Sequence, residues 1–170
     1  MNESRDLKSY FEQKCDGYSS YPALHMADAD ITYDALNRRA NRFAHFLMSL
    51  GCRPGDVIAI ISDKSIDNYA MMIAALKIGV AYTNIDDDNP IERNESIFRT
   101  CSPKAVFSVQ KESAMATLCQ DMDIAFHEFE AALSDNENNP DTIVTGEAIA
   151  YIMFTSGSTG TPKGVSIRHD

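Results

Sequence analysis

Residues Ala148–His169 read A-I-A-Y-I-M-F-T-S-G-S-T-G-T-P-K-G-V-S-I-R-H, and this stretch decides the fold. From Ala148 to Phe154 every residue is apolar, and such a run bounded by turn-forming residues reads as a buried strand. Thr155, Ser156, Ser158, Thr159 and Thr161 then bring hydroxyls, while Gly157 and Gly160 bring backbone freedom. Pro162 stiffens the chain, Lys163 supplies a cation, and Gly164 frees the backbone before Val165 and Ile167 resume strand-like alternation. A loop of this composition suits a polyphosphate. Glycines let backbone N–H groups turn inward onto phosphate oxygens, and hydroxyls donate further bonds that the acceptor's charge strengthens.

Two other readings compete. The Walker A pattern, G-x-x-x-x-G-K-[ST], fails: Pro162 stands five residues after Gly157, Lys163 is followed by Gly164, and a strand follows where a helix is required. On composition alone a plain polar hairpin loop stays open, because Gly, Ser, Thr and Pro populate loops in any case.

The ordered string T-S-G-S-T-G-T-P-K-G-V, residues 155–165, resembles the phosphate-binding signature of the adenylate-forming (AMP-binding) ligase superfamily. That superfamily includes acyl-CoA synthetases, firefly luciferase and the adenylation domains of nonribosomal peptide synthetases. The preceding I-A-Y-I-M-F is most similar to the amino-acid-activating adenylation domains. The resemblance implies that Thr155, Ser156, Gly157, Ser158, Thr159, Gly160 and Lys163 hold the β,γ-phosphates of ATP, with Mg2+, while a carboxylate attacks the α-phosphorus. It further implies activation of a carboxylic acid as acyl-AMP and transfer to a phosphopantetheine thiol, with a carrier protein as partner. An amino acid is the expected substrate, and a fatty or aryl acid is the alternative.

The rest of the composition bounds this reading. The chain has 170 residues, 44% hydrophobic and 24% charged, which suits one domain with a sizeable core. A net charge of −10 without a basic stripe argues against nucleic acid or an anionic membrane as partner. Cys15, Cys52, Cys101 and Cys119 are far apart, which excludes the common zinc spacings and offers no disulfide framework. No metal site is assigned. The polar start M-N-E-S-R-D-L-K and the lack of a long apolar run point to a cytoplasmic protein with reduced thiols.

Taken in order, the pattern predicts an amphipathic helix over 3–16 with Leu7, Tyr10, Phe11 and Lys14, then a strand over 22–26. His25 in that strand reads as incidental, since no second ligand lies nearby. The clearest helix starts at Thr32 as N-cap, repeats Leu36, Ala40, Phe43, Leu47 and Leu50, and stops at Gly51. Arg38, Arg39, Arg42 and His45 on its other face read as a solvated surface. Strands over 57–62, 80–85 and 105–109 alternate with helices over 66–78, 92–101 and 112–119, a βαβ arrangement that predicts an α/β fold with a mainly parallel sheet. A short strand over 124–126, a helical turn over 128–133 and an exposed loop over 134–140 complete it.

Two further stretches resemble family motifs. I-T-Y-D-A-L (31–36) is similar to L-T-Y-x-E-L, with Ala35 where Glu is usual, and L-K-I-G-V-A-Y (76–82) is similar to L-K-A-G-x-A-Y. The continuation T-N-I-D-D-D-N-P departs from the family's V-P-L-D-P-x-x-P, and its Asp86–Asp88 run reads as a solvated turn rather than a calcium loop. The family's enzymes continue into an adenine pocket, a ribose-binding Asp and a small domain with the catalytic Lys. Residues 1–170 are therefore expected to be an incomplete N-terminal portion of the large domain, with no catalytic residue of their own. On that expectation the isolated chain is inactive, binds ATP weakly and exposes apolar sheet surface. A stand-alone remnant or interaction module is the alternative.

Overall fold

The computed structural model describes residues 6–27, 29–156 and 162–170. Elements run in the order α1 (Leu7–Tyr18), β1 (Pro22–His25), β2 (Asp30–Thr32), α2 (Tyr33–Ser49), β3 (Val57–Ile61), α3 (Ile66–Lys77), β4 (Ala81–Ile85) and α4 (Ile91–Cys101). They continue with β5 (Ala105–Ser108), α5 (Ala114–Asp121), β6 (Ala125–Glu128), a 3-10 turn at Glu130–Ala132, β7 (Ile149–Ser156) and β8 (Pro162–Arg168). Helix starts follow local chemistry. Asp6, Thr32, Ser65 and Ser113 each accept the backbone N–H three residues on, at 2.8, 3.2, 3.1 and 3.2 Å, satisfying donors that the first turn leaves free.

Among the described residues, six strands form one sheet in the order β6-β5-β3-β4-β7-β8, and every pair but β7–β8 is parallel. Alternation along β3 sorts the core. Ile58 and Ile60 face α2 and α3 with Phe43, Leu47, Met71 and Phe107, while Ala59 and Ile61 face α4 and α5 with Ile97, Phe98, Val106 and Met115. Burial on both faces is why these strands are continuously apolar. The separate β1–β2 pair is antiparallel, and His25 there pairs with Asp30 at 3.0 Å, both largely exposed. The α/β fold with its mainly parallel sheet is as the pattern predicts.

Two expectations need correction. β7 is only half-buried: Ile149 is 41% and Met153 56% exposed. It lies beside the outermost strand, β8, and the sheet face carrying Met153 and Val165 is open. The polar face of α2 is not simply solvated either. Arg39 makes a two-point ion pair with Asp67 of α3, while Arg42 Nε donates to the Ser134 carbonyl at 2.7 Å. His45 Nε2 meets the Asn138 carbonyl at 2.9 Å. The loop over 134–140 is thus strapped onto α2 because its main-chain acceptors find side-chain donors there. Arg38 is half-exposed, paired with Asp34 at 3.0 Å and 3.9 Å from Glu137 of the same loop.

The cysteines are free, and burial pushes the Cys15, Cys101 and Cys119 thiols up to about 11, away from reactivity at neutral pH. Among the described residues no helix is long and apolar enough to cross a membrane.

Gly79 turns α3 into β4 at φ +69, and a Cβ there would sit 3.2 Å from Pro54. Gly79→Ala should therefore cost about 1–2 kcal/mol in urea unfolding. Gly17, within α1 and with nothing within 4 Å, is the control: Gly17→Ala should stabilise by about 0.5 kcal/mol.

Burial lowers the pKa of His127 and His169, whose Nε2 atoms have no hydrogen-bond partner among the described residues. Unfolded histidine takes up its proton near pH 6.5 and these folded rings do so lower. The unfolded state thus gains protons first, and stability falls as pH drops below about 6.5. Thermal melts between about pH 7.5 and 5 should show that loss, and His127→Phe should flatten it.

Candidate phosphate-binding site

β7 and β8 form an antiparallel hairpin pairing Tyr151 with Ile167, Met153 with Val165 and Thr155 with Lys163. Directly opposed residues share a face, so the exposed polar pair Thr155–Lys163 caps an apolar ladder. The ladder is anchored to the sheet at Tyr82↔Tyr151, where the two rings stack at 5.6 Å and 23°. Burial, then the neighbouring Tyr151, pushes the Tyr82 phenol up to about 12, so it stays neutral. Ser156 continues β7 opposite Pro162. Gly157, Ser158, Thr159 and Gly160, named above for the phosphate loop, lie outside the described residues together with Thr161.

Gly164 serves a purpose other than backbone freedom. A Cβ there would lie 3.2 Å from Ile152 Cγ2 and from two ring carbons of Phe154, its cross-strand partner. A side chain there would crowd the two large side chains beside it, although the position itself is exposed.

β3, β4 and β7 run parallel, so the hairpin tip emerges at the same sheet end as the loops after β3 and β4. Those loops enclose a cleft of about 490 Å³ lined by Ser62, Asp63, Lys64, Asn84, Asp86 and Asp88. The chain passes from β3 to β4 and then crosses back to β5, so the strand order reverses at this cleft. Open α/β sheets bind ligands at such reversals. Asp86 and Asp88 form the exposed turn read from the sequence, with Asp86 Oδ1 accepting the Asp88 N–H at 3.0 Å. Among the described residues no group of three His, Cys, Asp or Glu is placed to hold a metal.

A parallel sheet with helices on both faces and a hairpin at its carboxyl end defines the class of the fold. The sequence profile of AMP-binding enzymes matches residues 11–170, and the chain belongs to that family. Its relatives are peptide synthetases. It is 34% identical over 168 residues to the nonribosomal peptide synthetase sidE of Aspergillus fumigatus, covering 98% of this chain and 8% of that protein. It is also 34% identical over 169 residues to surfactin synthase subunit 1 of Bacillus subtilis, covering 97% and 5% respectively. Among solved structures, the N-terminal subdomain of Klebsiella oxytoca NpsA in complex with 3-hydroxybenzoyl-AMSN superposes with a TM-score of 0.83 at 22% identity. That match covers 96% of this chain and 41% of that one. The chain thus spans a small part of the curated relatives and about two fifths of the solved subdomain, whose fold it shares.

Sequence reasoning missed Lys77, which is 0% exposed and meets Glu12 and Asn139. The signal was available: one lysine in the otherwise apolar run A-M-M-I-A-A-L-K-I. The Ser62–Lys64 side of the cleft was also missed, and nothing in its composition marks it.

Gly164→Ala should destabilise the hairpin by about 1–3 kcal/mol, because Ile152 and Phe154 must shift to admit a methyl. A lowered urea midpoint with an unchanged m-value checks this.

Proposed function

We propose that residues 1–170 are the N-terminal part of an adenylation domain. In this reading the domain activates an amino acid with ATP as aminoacyl-AMP and passes it to a phosphopantetheine thiol of a carrier protein. The observation that carries the reading is the Thr155–Lys163 pair, exposed at the tip of the hairpin that holds the family's signature. Thr155 donates a hydroxyl and Lys163 a cation to the terminal phosphates, and Ser156, Gly157, Ser158, Thr159 and Gly160 complete the cradle. Mg2+ travels on the phosphates.

The chemistry assigned to this chain is grip and charge neutralisation at the leaving pyrophosphate. Phosphoryl-type displacements gain most of their rate from positioning and electrostatic stabilisation. The peptide-synthetase relatives favour an amino acid over a fatty acid. A cytoplasmic setting suits the free cysteines and the need for ATP.

ATP–pyrophosphate exchange by the intact polypeptide, run across amino, aryl and fatty acids, tests this. Exchange should depend on an amino acid, and Lys163→Ala should lower kcat/KM for ATP by about 10- to 100-fold. Exchange with fatty acids alone would overturn the substrate class, and no exchange with any acid would overturn the activity.

A further inference from the structure

Lys77 ends α3 with its ammonium removed from water, and α1 and the loop before β7 converge on it. Glu12 Oε1 of α1 lies 2.5 Å from Nζ, Asn139 Oδ1 lies 3.0 Å away, and the Phe11 ring centroid is 5.8 Å off. The same Asn139 oxygen accepts from Asn37 Nδ2 at 3.1 Å and Asn41 Nδ2 at 2.9 Å. The backbone around it is held as well. Asn41 Nδ2 donates to the Glu137 carbonyl at 2.7 Å, and Lys8 Nζ to the carbonyls of Pro140 and Thr142 at 3.1 and 2.5 Å.

The placement of this knot matters more than its strength. β4 and β7 are parallel neighbours, so no tight turn sets their register, and β5 and β6 intervene in the chain. Lys77 leads into β4 through a turn fixed by Val80 N–H to the Ala75 carbonyl at 3.0 Å and Gly55 N–H to the Gly79 carbonyl at 2.9 Å. Asn139 leads into β7 through buried Pro140 and Val144 and a turn closed by Ala148 N–H to the Thr145 carbonyl at 3.0 Å. The Lys77–Asn139 bond therefore ties the end of α3, just before β4, to the segment that leads into β7. An apolar side chain would fill the same space without holding Asn139. A buried ion pair is by itself a poor source of stability, so a lysine here calls for a further reason.

We propose that Lys77 is a positioning residue: by holding Asn139 it sets how β7 lies along β4, and with it the hairpin that presents Thr155 and Lys163. The inference rests on that hairpin being the ATP-phosphate site. Two variants of the intact polypeptide test it. Lys77→Met removes the charge and keeps the stem, while Asn139→Ala removes the loop arm together with its bonds to Asn37 and Asn41 and leaves Lys77 paired with Glu12. In both, hydrogen exchange across Ile149–Phe154 should speed about tenfold or more while Val57–Ile61 stays within about twofold. KM for ATP should rise about fivefold with KM for the acid unchanged. Equal loosening of all strands, unchanged exchange in β7, or a loosened β7 with unchanged KM for ATP would each overturn the proposal. Should Lys77→Met fail to fold, Lys77→Leu, which leaves the Asn37 and Asn41 bonds to Asn139 in place, decides. Absence of pyrophosphate exchange in the unmodified protein would instead sink the adenylation reading, and strand-specific hydrogen exchange would still decide whether Lys77 sets β7.

Discussion

A parallel sheet has to hold together strands that the chain cannot bring together by a turn. β4 ends at Ile85 and its neighbour β7 begins at Ile149, with two helices and two strands built in between on the far side of β3. What joins them is side-chain chemistry. Tyr82 and Tyr151 stack on the α2–α3 face, and at the strand entries a belt of amide and cationic side chains grips the segment before β7. The rest of the fold follows from supplying that belt: α1 brings Lys8 and Glu12, α2 brings Asn37 and Asn41, and α3 brings Lys77.

This use of polar side chains explains the character of the surface. Lys8, Arg39, Arg42 and Lys77 are committed to carbonyls and carboxylates inside the molecule, so the basic residues among them build no outward-facing stripe. The exterior is left acidic, as the net charge of −10 requires. For an ATP-using protein this is no contradiction. Bonds to a charged acceptor gain from local donors at hydrogen-bond range, whereas the wider field of the chain is screened within about 8–10 Å at physiological salt.

Much of this architecture was legible in the sequence. The helix from Thr32 was plain because Leu36, Ala40, Phe43 and Leu47 repeat at helical spacing and all four are buried. Val57–Ile61 read as a parallel strand because both of its faces are covered. Ile149–Phe154 looked the same and is not, since an apolar run does not say whether a strand sits centrally or next to an edge. The phosphate loop was legible only as an ordered string, and the opposition of Thr155 to Lys163 needed the hairpin register. Lys77 and the strapped loop over 134–140 escaped because their partners lie 60 to more than 90 residues away. Periodicity records one element's burial and carries no information on which distant carbonyl a side chain reaches.

The outer strand has a consequence for how this chain behaves in company. Among the described residues β8 pairs on one side only, with β7, and a further strand at its far edge would meet main-chain donors and acceptors there. Val165, 50% exposed, sits in its middle and would welcome such a visitor. The ends are guarded: Pro162 lacks an N–H to offer, Lys163 is an exposed cation, and Arg168 stands at the other end tied to Asp170 at 2.7 Å. A further strand must therefore lie against charge at both ends to extend the sheet, which restrains indiscriminate aggregation.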